Sequence, residues 1–170
     1  MKTQSAFTLI ELLVTLSVVA ILATVALPKL QYVIVSNRMT TKTNELVGSI
    51  NFARGEAITR TSQTFTIEAL DAAQWGKGWK IVKYDTAKEP KIIKIFEFKE
   101  DQILIQEKDS LSSISFLARG RLREEYAFYI CSEGHLEGRI VEIKTVGRAS
   151  VERCSFSSKK NACTNPFDCS

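Results

Sequence analysis

The feature that most constrains this chain is a long apolar run close to its N-terminus. From Phe7 to Leu27 the residues are uncharged except for Glu11. A helix of this length, at about 1.5 Å per residue, crosses a hydrocarbon core of roughly 30 Å. A carboxylate in such a span costs on the order of 3 kcal/mol near its centre, and it usually has a partner. The run therefore predicts a membrane-spanning helix in which Glu11 pairs with a cation.

An ordinary secretory signal peptide is disfavoured for the same run. Such a peptide has a shorter apolar stretch, a basic segment ahead of it and a small-residue cleavage site behind it. Here the only preceding charge is Lys2, and the run ends at Pro28. Removing the segment MKTQSA leaves a free amine on Phe7, about one helical turn from Glu11. A tolerated interfacial carboxylate in a plain signal anchor is the alternative interpretation of Glu11.

These N-terminal residues resemble a known processing signal. A short basic leader, then FTLIELLV, then a long apolar helix with a proline is similar to the class III signal of type IV prepilins and type II secretion pseudopilins. The resemblance implies that a prepilin peptidase of the inner membrane cuts between Ala6 and Phe7 and methylates the new amine. It also implies that Glu11 attracts the amine of a neighbouring subunit during fibre assembly. The family normally has Gly before the cut, and Ala6 is the closest substitute in size.

The helix is predicted to continue past Pro28 as an amphipathic segment. Pro28 is expected to kink it by removing one backbone donor and crowding the preceding turn. One stripe at helical spacing consists of Met39, Leu46, Ile50, Ala53 and Ala57. We expect this stripe to pack against the head's own sheet, and a face for a partner helix is the alternative. The predicted organisation is a leader at 1–6, a transmembrane or assembly half-helix at 7–28, an amphipathic half at 29–60 and a β-rich head at 61–170.

Short β-branched and aromatic runs begin at Ser62 and are separated by turn signals. The runs are TFTIEAL, GWKIVKY, KIIKIFEF, QILIQE, SSISFLA, EYAFYIC and RIVEIKTV. A helix followed by such strands predicts an α+β fold, a long kinked helix packed on an antiparallel β-sheet head. Trp75 and Trp79 are expected to cover the end of the helix–sheet core, each with a partner for its indole N–H. A binding platform is the alternative for Trp79.

The cysteines all lie late in the chain. They are Cys131, Cys154, Cys163 and Cys169. An even count indicates an oxidising compartment, here the periplasm or the exterior, although four cysteines allow three pairings. Zinc is disfavoured because there is no close Cys-x-x-Cys pair and His135 is the only histidine. We predict that Cys131 pairs with Cys154 across two neighbouring strands, and that Cys163 pairs with Cys169 in a short tail loop.

The head also resembles one branch of the pilin superfamily. NFARGEAITRTSQTFTIEAL, QWGKGWKIV, ISFLARGRLR and CSEGHLEGRIVEIKTVGRASVERC, in this order, are similar to the GspH/FimT family. The resemblance implies a minor pilin that helps prime pilus assembly and sits at or near the fibre tip. Its implied partners are other minor and major pilins, the prepilin peptidase and the inner-membrane assembly platform. The implied location is a single-pass inner-membrane precursor with a periplasmic head, then the pilus fibre.

Two other functions stay open at this point. An H-type pseudopilin of type II secretion shares these features. Some family members on DNA-uptake pili bind DNA through an arginine-rich C-terminal GRxR signature. GRASVER has Arg148 and Arg153, with Ser150 in the place of the second arginine. A net charge of +4 is too mild to demand a polyanionic partner but permits one.

The stretch RGRLR is a second basic candidate. Its arginines, Arg119, Arg121 and Arg123, recur at every second position. On a strand they would lie on one face, as a basic ladder that phosphates can meet. A solvated strand edge guarded by charge is the alternative.

No catalytic arrangement is predicted. A Ser-His-Asp triad would have to use His135, which lies in the turn-like stretch SEGHLEG. There is no glycine-rich phosphate loop ahead of a helix and no metal-ligand cluster in the sequence. The sequence therefore predicts a structural protein with no cofactor and no metal.

Overall fold

One long helix is followed by eight strands. A computed structural model describes residues 8–85, 88–98, 102–132 and 137–155. The helix α1 (Leu9–Thr59) runs without interruption through Pro28, and the kink stays a prediction. Contacts divide the chain into two units, Met1–Ser36 and Asn37–Ser170, so α1 contributes to both. The predicted α+β class, a long N-terminal helix with antiparallel sheets, is confirmed.

The first unit leaves the apolar half of α1 uncovered. From Leu9 to Ile34 its large apolar side chains are exposed. Of the residues that the structure describes, α1 is the one helix long and apolar enough to cross a membrane, and its most apolar stretch has no buried residue. A continuous apolar surface of this size is unfavourable in water, so lipid or other chains have to cover it.

The first sheet is antiparallel and has the strand order β3-β2-β1-β5. The bounds are Gln63–Ala69 for β1, Gly78–Asp85 for β2, Lys88–Glu97 for β3 and Ser113–Phe116 for β5. Ile67 of β1 faces Ile81 on one side and Ile114 on the other. All three side chains are buried. This row of β-branched residues forms part of the core face of the sheet.

The second sheet is also antiparallel, in the order β4-β6-β7-β8. The bounds are Ile103–Glu107 for β4, Tyr126–Ser132 for β6, Glu137–Ile143 for β7 and Ala149–Ser155 for β8. Along β6, Tyr126, Phe128 and Ile130 are buried and the residues between them are less so. This period of two places alternate side chains on the core face.

The predicted stripe of α1 lies in the core of the head. Its members are at most 1 % exposed: Met39, Leu46, Ile50, Ala53 and Ala57. Small residues at the end of the stripe let the helix backbone approach the head closely. The interpretation that this stripe packs within the chain's own head is confirmed.

Trp79 joins α1 to the first sheet. Its side chain is fully buried, and its indole N–H donates to the Ser49 hydroxyl oxygen at 2.8 Å. That hydroxyl in turn donates to the Glu45 carbonyl oxygen at 2.9 Å. The rings of Phe96 and Phe98 lie with centroids 5.5 and 5.2 Å from that of Trp79. The predicted core role of Trp79, with a partner for its indole, is confirmed.

Trp75 packs against the second sheet. It lies in a short 3-10 turn, Trp75–Lys77, and its indole N–H donates to the Leu111 carbonyl oxygen at 2.8 Å. The ring meets Phe128 of β6 edge to face, with centroids 4.8 Å apart. The side chain is fully buried. The predicted core role of Trp75 is therefore confirmed as well.

The strand predicted through RGRLR is wrong. Ala118–Gly120 form a 3-10 turn in which Arg119 has a φ of 66°, and an isolated bridge joins Leu117 to Arg121. The alternation of arginine with small or apolar residues imitated a strand. Leu122 is buried, and its neighbours Arg121 and Arg123 are exposed. The alternation of exposed and buried residues here comes from a loop that buries one leucine, and no strand is present at these positions.

The predicted bridge between Cys131 and Cys154 is also wrong. Both residues are disulfide-bonded. They lie on β6 and β8, which flank β7, and Gly138 of β7 lies between them in the strand register. Two strand spacings are about 9.6 Å, whereas the α-carbons of a bridge are at most about 6.8 Å apart. The error was to treat β6 and the strand that ends at Cys154 as neighbours.

Candidate functional site

The first candidate site is the start of α1. The Thr8 side-chain oxygen accepts a hydrogen bond from the Glu11 backbone N–H at 3.3 Å, and the Thr8 carbonyl accepts one from Leu12 at 3.2 Å. Thr-x-x-Glu is the spacing of a capping box, in which the glutamate supports the helix N-terminus. A carboxylate here also lies favourably at the positive end of the helix dipole. The structure shows the Thr8 half of this box, and the residues TLIE could have indicated it.

Glu11 has no nearby cation on the described part of its own helix. The next basic residue along α1 is Lys29, about 27 Å further on at 1.5 Å per residue. The Glu11 side chain is exposed on an apolar helix surface. The described part of α1 therefore supplies no cation within reach of Glu11. The predicted cleavage residues Ala6 and Phe7 lie outside the described residues.

The second candidate site consists of two turns of the head, and we call it the arginine site. One turn is Ala118–Gly120. The other lies between β7 and β8 and is closed by a hydrogen bond from the Gly147 N–H to the Lys144 carbonyl at 2.7 Å. The Leu122 N–H donates to the Thr145 carbonyl at 2.9 Å and thereby joins the two turns.

Two glycines let these turns pack against α1. Gly120 and Gly147 have φ values of 68° and 75°, a region that favours glycine. A Cβ on Gly147 would overlap the Gly120 carbonyl oxygen, and a Cβ on Gly120 would lie 2.9 Å from Ile58 of α1. Arg54 of α1 donates through Nε to the Val146 carbonyl at 3.2 Å. The arginine site is thus held in a fixed position beside α1.

The positive charge of this site comes from arginine. The exposed residues are Arg119, Arg121, Arg123 and Arg148. Within the described part of the chain, none of the four forms an ion pair. Lys144, by contrast, contacts the carboxylates of Glu142 and Glu125, both at 3.2 Å. Its hydrogen bonds to Glu142 and then to Glu125 raise the pKa of Lys144.

Tyr126 lies at the edge of the arginine site. Burial raises the pKa of Tyr126 to about 12, and the Glu124 carboxylate, which accepts its hydroxyl hydrogen bond at 3.3 Å, adds to the rise. Arg123 acts on the same pKa in the opposite direction. Tyr126 is therefore neutral at physiological pH.

The structure does not bring every predicted arginine to this site. Arg153 lies on β8, five positions after Arg148, which is about 17 Å along an extended strand.

Guanidinium groups bind phosphate oxygens in a planar fork, and their pairing with phosphates releases counterions. The two turns therefore carry exposed side chains of the type that pairs with phosphates. Arg54, which positions one turn, was missed because its partner is 92 residues away in sequence.

Other predicted site residues lie elsewhere or outside the description. Cys163, Cys169 and His135 are outside the described residues. Across the described ranges, no group of three or more His, Cys, Asp or Glu side chains is placed to hold a metal ion.

Two family models match the chain. Residues 1–27 match the prokaryotic N-terminal methylation motif. Residues 42–147 match the type II transport protein GspH. No curated protein matches the chain at a significant level.

Two solved structures have the same fold. Both are crystal structures of the type IV minor pilin FimU from Pseudomonas aeruginosa. The first is 25% identical with a TM-score of 0.63, and the match covers 78% of this chain and 97% of that one. The second, in another crystal form, is 24% identical with a TM-score of 0.60, and the match covers 75% and 99%. The resemblance found in the sequence is confirmed, and because the GspH model spans more than half of the chain, the chain belongs to the GspH family of type IV minor pilins and pseudopilins.

Proposed function

We propose that this chain is a minor type IV pilin that helps prime pilus assembly and lies at or near the fibre tip. The observation that carries the proposal is the first half of α1, an apolar surface that the chain leaves uncovered and that holds one carboxylate. Lipid covers this surface in the precursor, and the helices of other minor and major pilins cover it in the fibre. The similarity of the head to the minor pilin FimU supports a place among the minor subunits.

The proposed route begins in the inner membrane. The precursor crosses it once, with the head in the periplasm. The prepilin peptidase cuts between Ala6 and Phe7 and methylates the new amine, and the assembly platform then moves the subunit into the fibre. The match to the N-terminal methylation motif supports the processing step. The disulfide-bonded state of Cys131 and Cys154 supports an oxidising compartment for the head.

The charge of Glu11 favours the subunit in the fibre over the monomer in the membrane. A lone carboxylate in hydrocarbon is unfavourable, whereas the amine of Phe7 on an adjacent subunit is a cation at close range in a low-dielectric bundle. The amine of its own Phe7 lies only about 6 Å along the helix and competes for the same carboxylate. The axial offset between neighbouring subunits decides whether Glu11 pairs with the Phe7 amine of its own chain or with that of the adjacent subunit. Entry into the fibre then depends on the charge of Glu11, whereas the helix cap depends on the Thr8 side-chain oxygen that accepts from the Glu11 backbone N–H.

Three variants separate the charge of Glu11 from helix capping. Glu11→Val removes the carboxylate, and Glu11→Gln keeps a side-chain oxygen without the charge. Thr8→Ala removes the acceptor of the cap hydrogen bond but keeps the charge. We expect all three to insert and to keep their disulfides. Both Glu11 variants should be depleted from sheared fibres relative to the membrane fraction, and Thr8→Ala should not. Entry of Glu11→Gln at the wild-type level would exclude a role for the charge.

A second candidate function is DNA binding on a DNA-uptake pilus. The observation that favours it is the arginine site, four exposed guanidinium groups without ion-pair partners among the described residues. Gly120, Gly147 and Arg54 fix the backbone of the two turns, so less backbone ordering is needed when a phosphate backbone binds. Arg153 lies apart and takes no part in this proposal.

The DNA test uses the full chain in detergent with duplex DNA. Replacing Arg119 and Arg148 with Ala should weaken binding and reduce the slope of log affinity against log salt by about 0.9 for each phosphate that the variant no longer neutralises. Arg153→Ala is the matched control and should bind as the wild type does. Absence of binding at low salt would refute this second function and leave the assembly proposal untouched.

An H-type pseudopilin of type II secretion is the remaining alternative. It shares the apolar half-helix and the head fold, so geometry does not separate the two. Deletion of the gene decides between them. Loss of surface pili with normal enzyme secretion supports the pilin, and the reverse pattern supports the pseudopilin.

A further inference from the structure

The edge strand β3 leaves large apolar side chains in solvent. It is the last strand of the first sheet, and in the part of the chain that the structure describes no strand pairs with its outer side. Ile92, Ile93 and Ile95 are 50%, 40% and 53% exposed. An open edge that carries apolar side chains is a template on which another extended chain can pair.

A register shift sorts the side chains of β3 by chemistry. Ile92 and Ile95 lie opposite residues of β2 that are two positions apart, and Lys91 and Lys94 lie opposite the alternate positions. The shift inserts Ile93 as an extra residue between them. Because residues two positions apart on a strand face the same side, the two isoleucines share one face of the sheet and the two lysines share the other.

The backbone of β3 also has open hydrogen-bonding groups. The Phe98 N–H, directly after β3, donates to the Lys77 carbonyl oxygen at 3.1 Å, so this residue bonds toward β2. In an antiparallel pair every second residue bonds to the neighbouring strand. Ile95 and Glu97 therefore direct their N–H and C=O groups away from β2. An added strand can pair with these groups.

The lysines of this edge determine which kind of segment fits it. Lys83 of β2 and Lys91 lie directly opposite one another, and like charges in this arrangement are destabilising. Within the described residues neither forms an ion pair. Because β3 has more lysines than glutamates, a second copy of the strand would add to the repulsion. Carboxylates of a different segment would relieve it.

We propose that the free edge of β3 binds an extended acidic segment of another protein, which adds to the first sheet as a further strand. Alternating apolar and acidic residues in that segment place apolar side chains beside Ile92 and Ile95 and carboxylates beside Lys91 and Lys94. Pro90 has no N–H and limits the usable edge on the other side. The proposal does not depend on the proposed pilus function, and its test needs no fibre.

Titration with a synthetic strand tests the proposal. The probe is a capped, fluorescent peptide of alternating valine and glutamate, and the protein is the full chain in uncharged detergent at low salt, with empty micelles as the blank. We expect a saturable rise in peptide anisotropy that weakens as salt is added. An all-glutamate peptide and a peptide of alternating valine and lysine should each bind on the order of tenfold more weakly or less. Equal binding of either control peptide, or no binding of the probe, would overturn the proposal.

Two variants locate the binding site. Lys91→Glu should weaken binding of the valine–glutamate peptide on the order of tenfold, and it should not destabilise the head because it removes the repulsion with Lys83. Val151→Lys is the matched control, since Val151 is an exposed residue on the edge strand of the other sheet. It should bind the peptide as the wild type does. Unchanged binding by Lys91→Glu would place the peptide elsewhere and refute the proposal.

Amide hydrogen exchange resolved by residue tests the backbone pairing. With the peptide bound, exchange at Ile95 and Glu97 should slow on the order of tenfold, whereas exchange at Phe96, which already bonds toward β2, should not change. Unchanged exchange at Ile95 and Glu97 would exclude an added strand. A dimer of the chain that forms through this edge without peptide would identify a second copy as the occupant and would overturn the proposal as well.

Discussion

Gly147→Ala should destabilise the head because the turn that carries Arg148 has no room for a methyl group. Gly147 has a φ of 75°, where a residue with a Cβ is unfavourable by about 1–2 kcal/mol. The added Cβ would also overlap the Gly120 carbonyl oxygen and lie 3.0 Å from the Arg54 side chain. The Gly120 turn is fixed by α1, so relief requires a backbone shift that costs a further 1–3 kcal/mol or so. We expect the free energy of unfolding to fall by about 2–5 kcal/mol in all.

Gly55→Ala is the matched control with the opposite sign. Gly55 lies in α1, is exposed, and has no atom within 4 Å of the position of an added Cβ. Alanine is the better helix former, so this variant should be more stable by roughly 0.5–1 kcal/mol. The assay is urea unfolding of the full chain in detergent with its disulfides intact, followed by the fluorescence of Trp75 and Trp79. A Gly147→Ala protein within about 0.5 kcal/mol of the wild type would refute the packing described for the two turns.

Three further predictions concern the core, a buried phenol and the processing site. Ser49→Ala leaves the indole N–H of Trp79 buried without its acceptor and should lower the free energy of unfolding by about 1–3 kcal/mol. In a double-mutant cycle with Trp79→Phe, the two destabilisations should not add, because both variants remove the same hydrogen bond. Because the pKa of Tyr126 is raised to about 12, the unfolded chain loses this proton first. Stability should therefore decline from about pH 10 to about pH 12, and Tyr126→Phe should make the decline shallower in pH-dependent unfolding curves without abolishing it, because the pKa values of Tyr84 and Lys144 are raised as well. Ala6→Gly should accelerate conversion of precursor to the mature chain in a pulse-chase gel; an unchanged rate would mean that Ala6 does not slow the peptidase.

Local patterns predicted the core well because helix and strand periods act over short distances. The stripe that contains Leu46 and Ile50 is buried as its spacing indicated, and both tryptophans found partners for their indoles. Arg119 and Arg121 were predicted to lie on a strand because they recur at every second position, as residues on one face of a strand do. Gly120 between them in fact belongs to a turn. A period of two is necessary for a half-buried strand but does not prove one.

Features that depend on strand order were beyond the sequence. β8 has the sequence ASVERCS, a polar edge strand with little apolar alternation, so no strand pattern marked it. Its pairing with β7 places a whole strand between Cys131 and Cys154, and this overturned the predicted bridge. The hydrogen bond from the Glu11 N–H to the Thr8 side chain is local, and its Thr-x-x-Glu spacing is visible in the sequence. The charge of Glu11 in an apolar run led instead to an interpretation in terms of contacts between subunits.

The intact mass of the chain recovered from sheared surface fibres tests the central claim most directly. If the chain is a processed pilus subunit, the fibres should contain it as a species that begins at Phe7, with a methylated amine and without residues 1–6. The Glu11→Gln variant should be nearly absent from the same preparation while it accumulates, equally processed, in the membrane. A chain that still begins at Met1, or one found only in the membrane when fibres are abundant, would contradict the account.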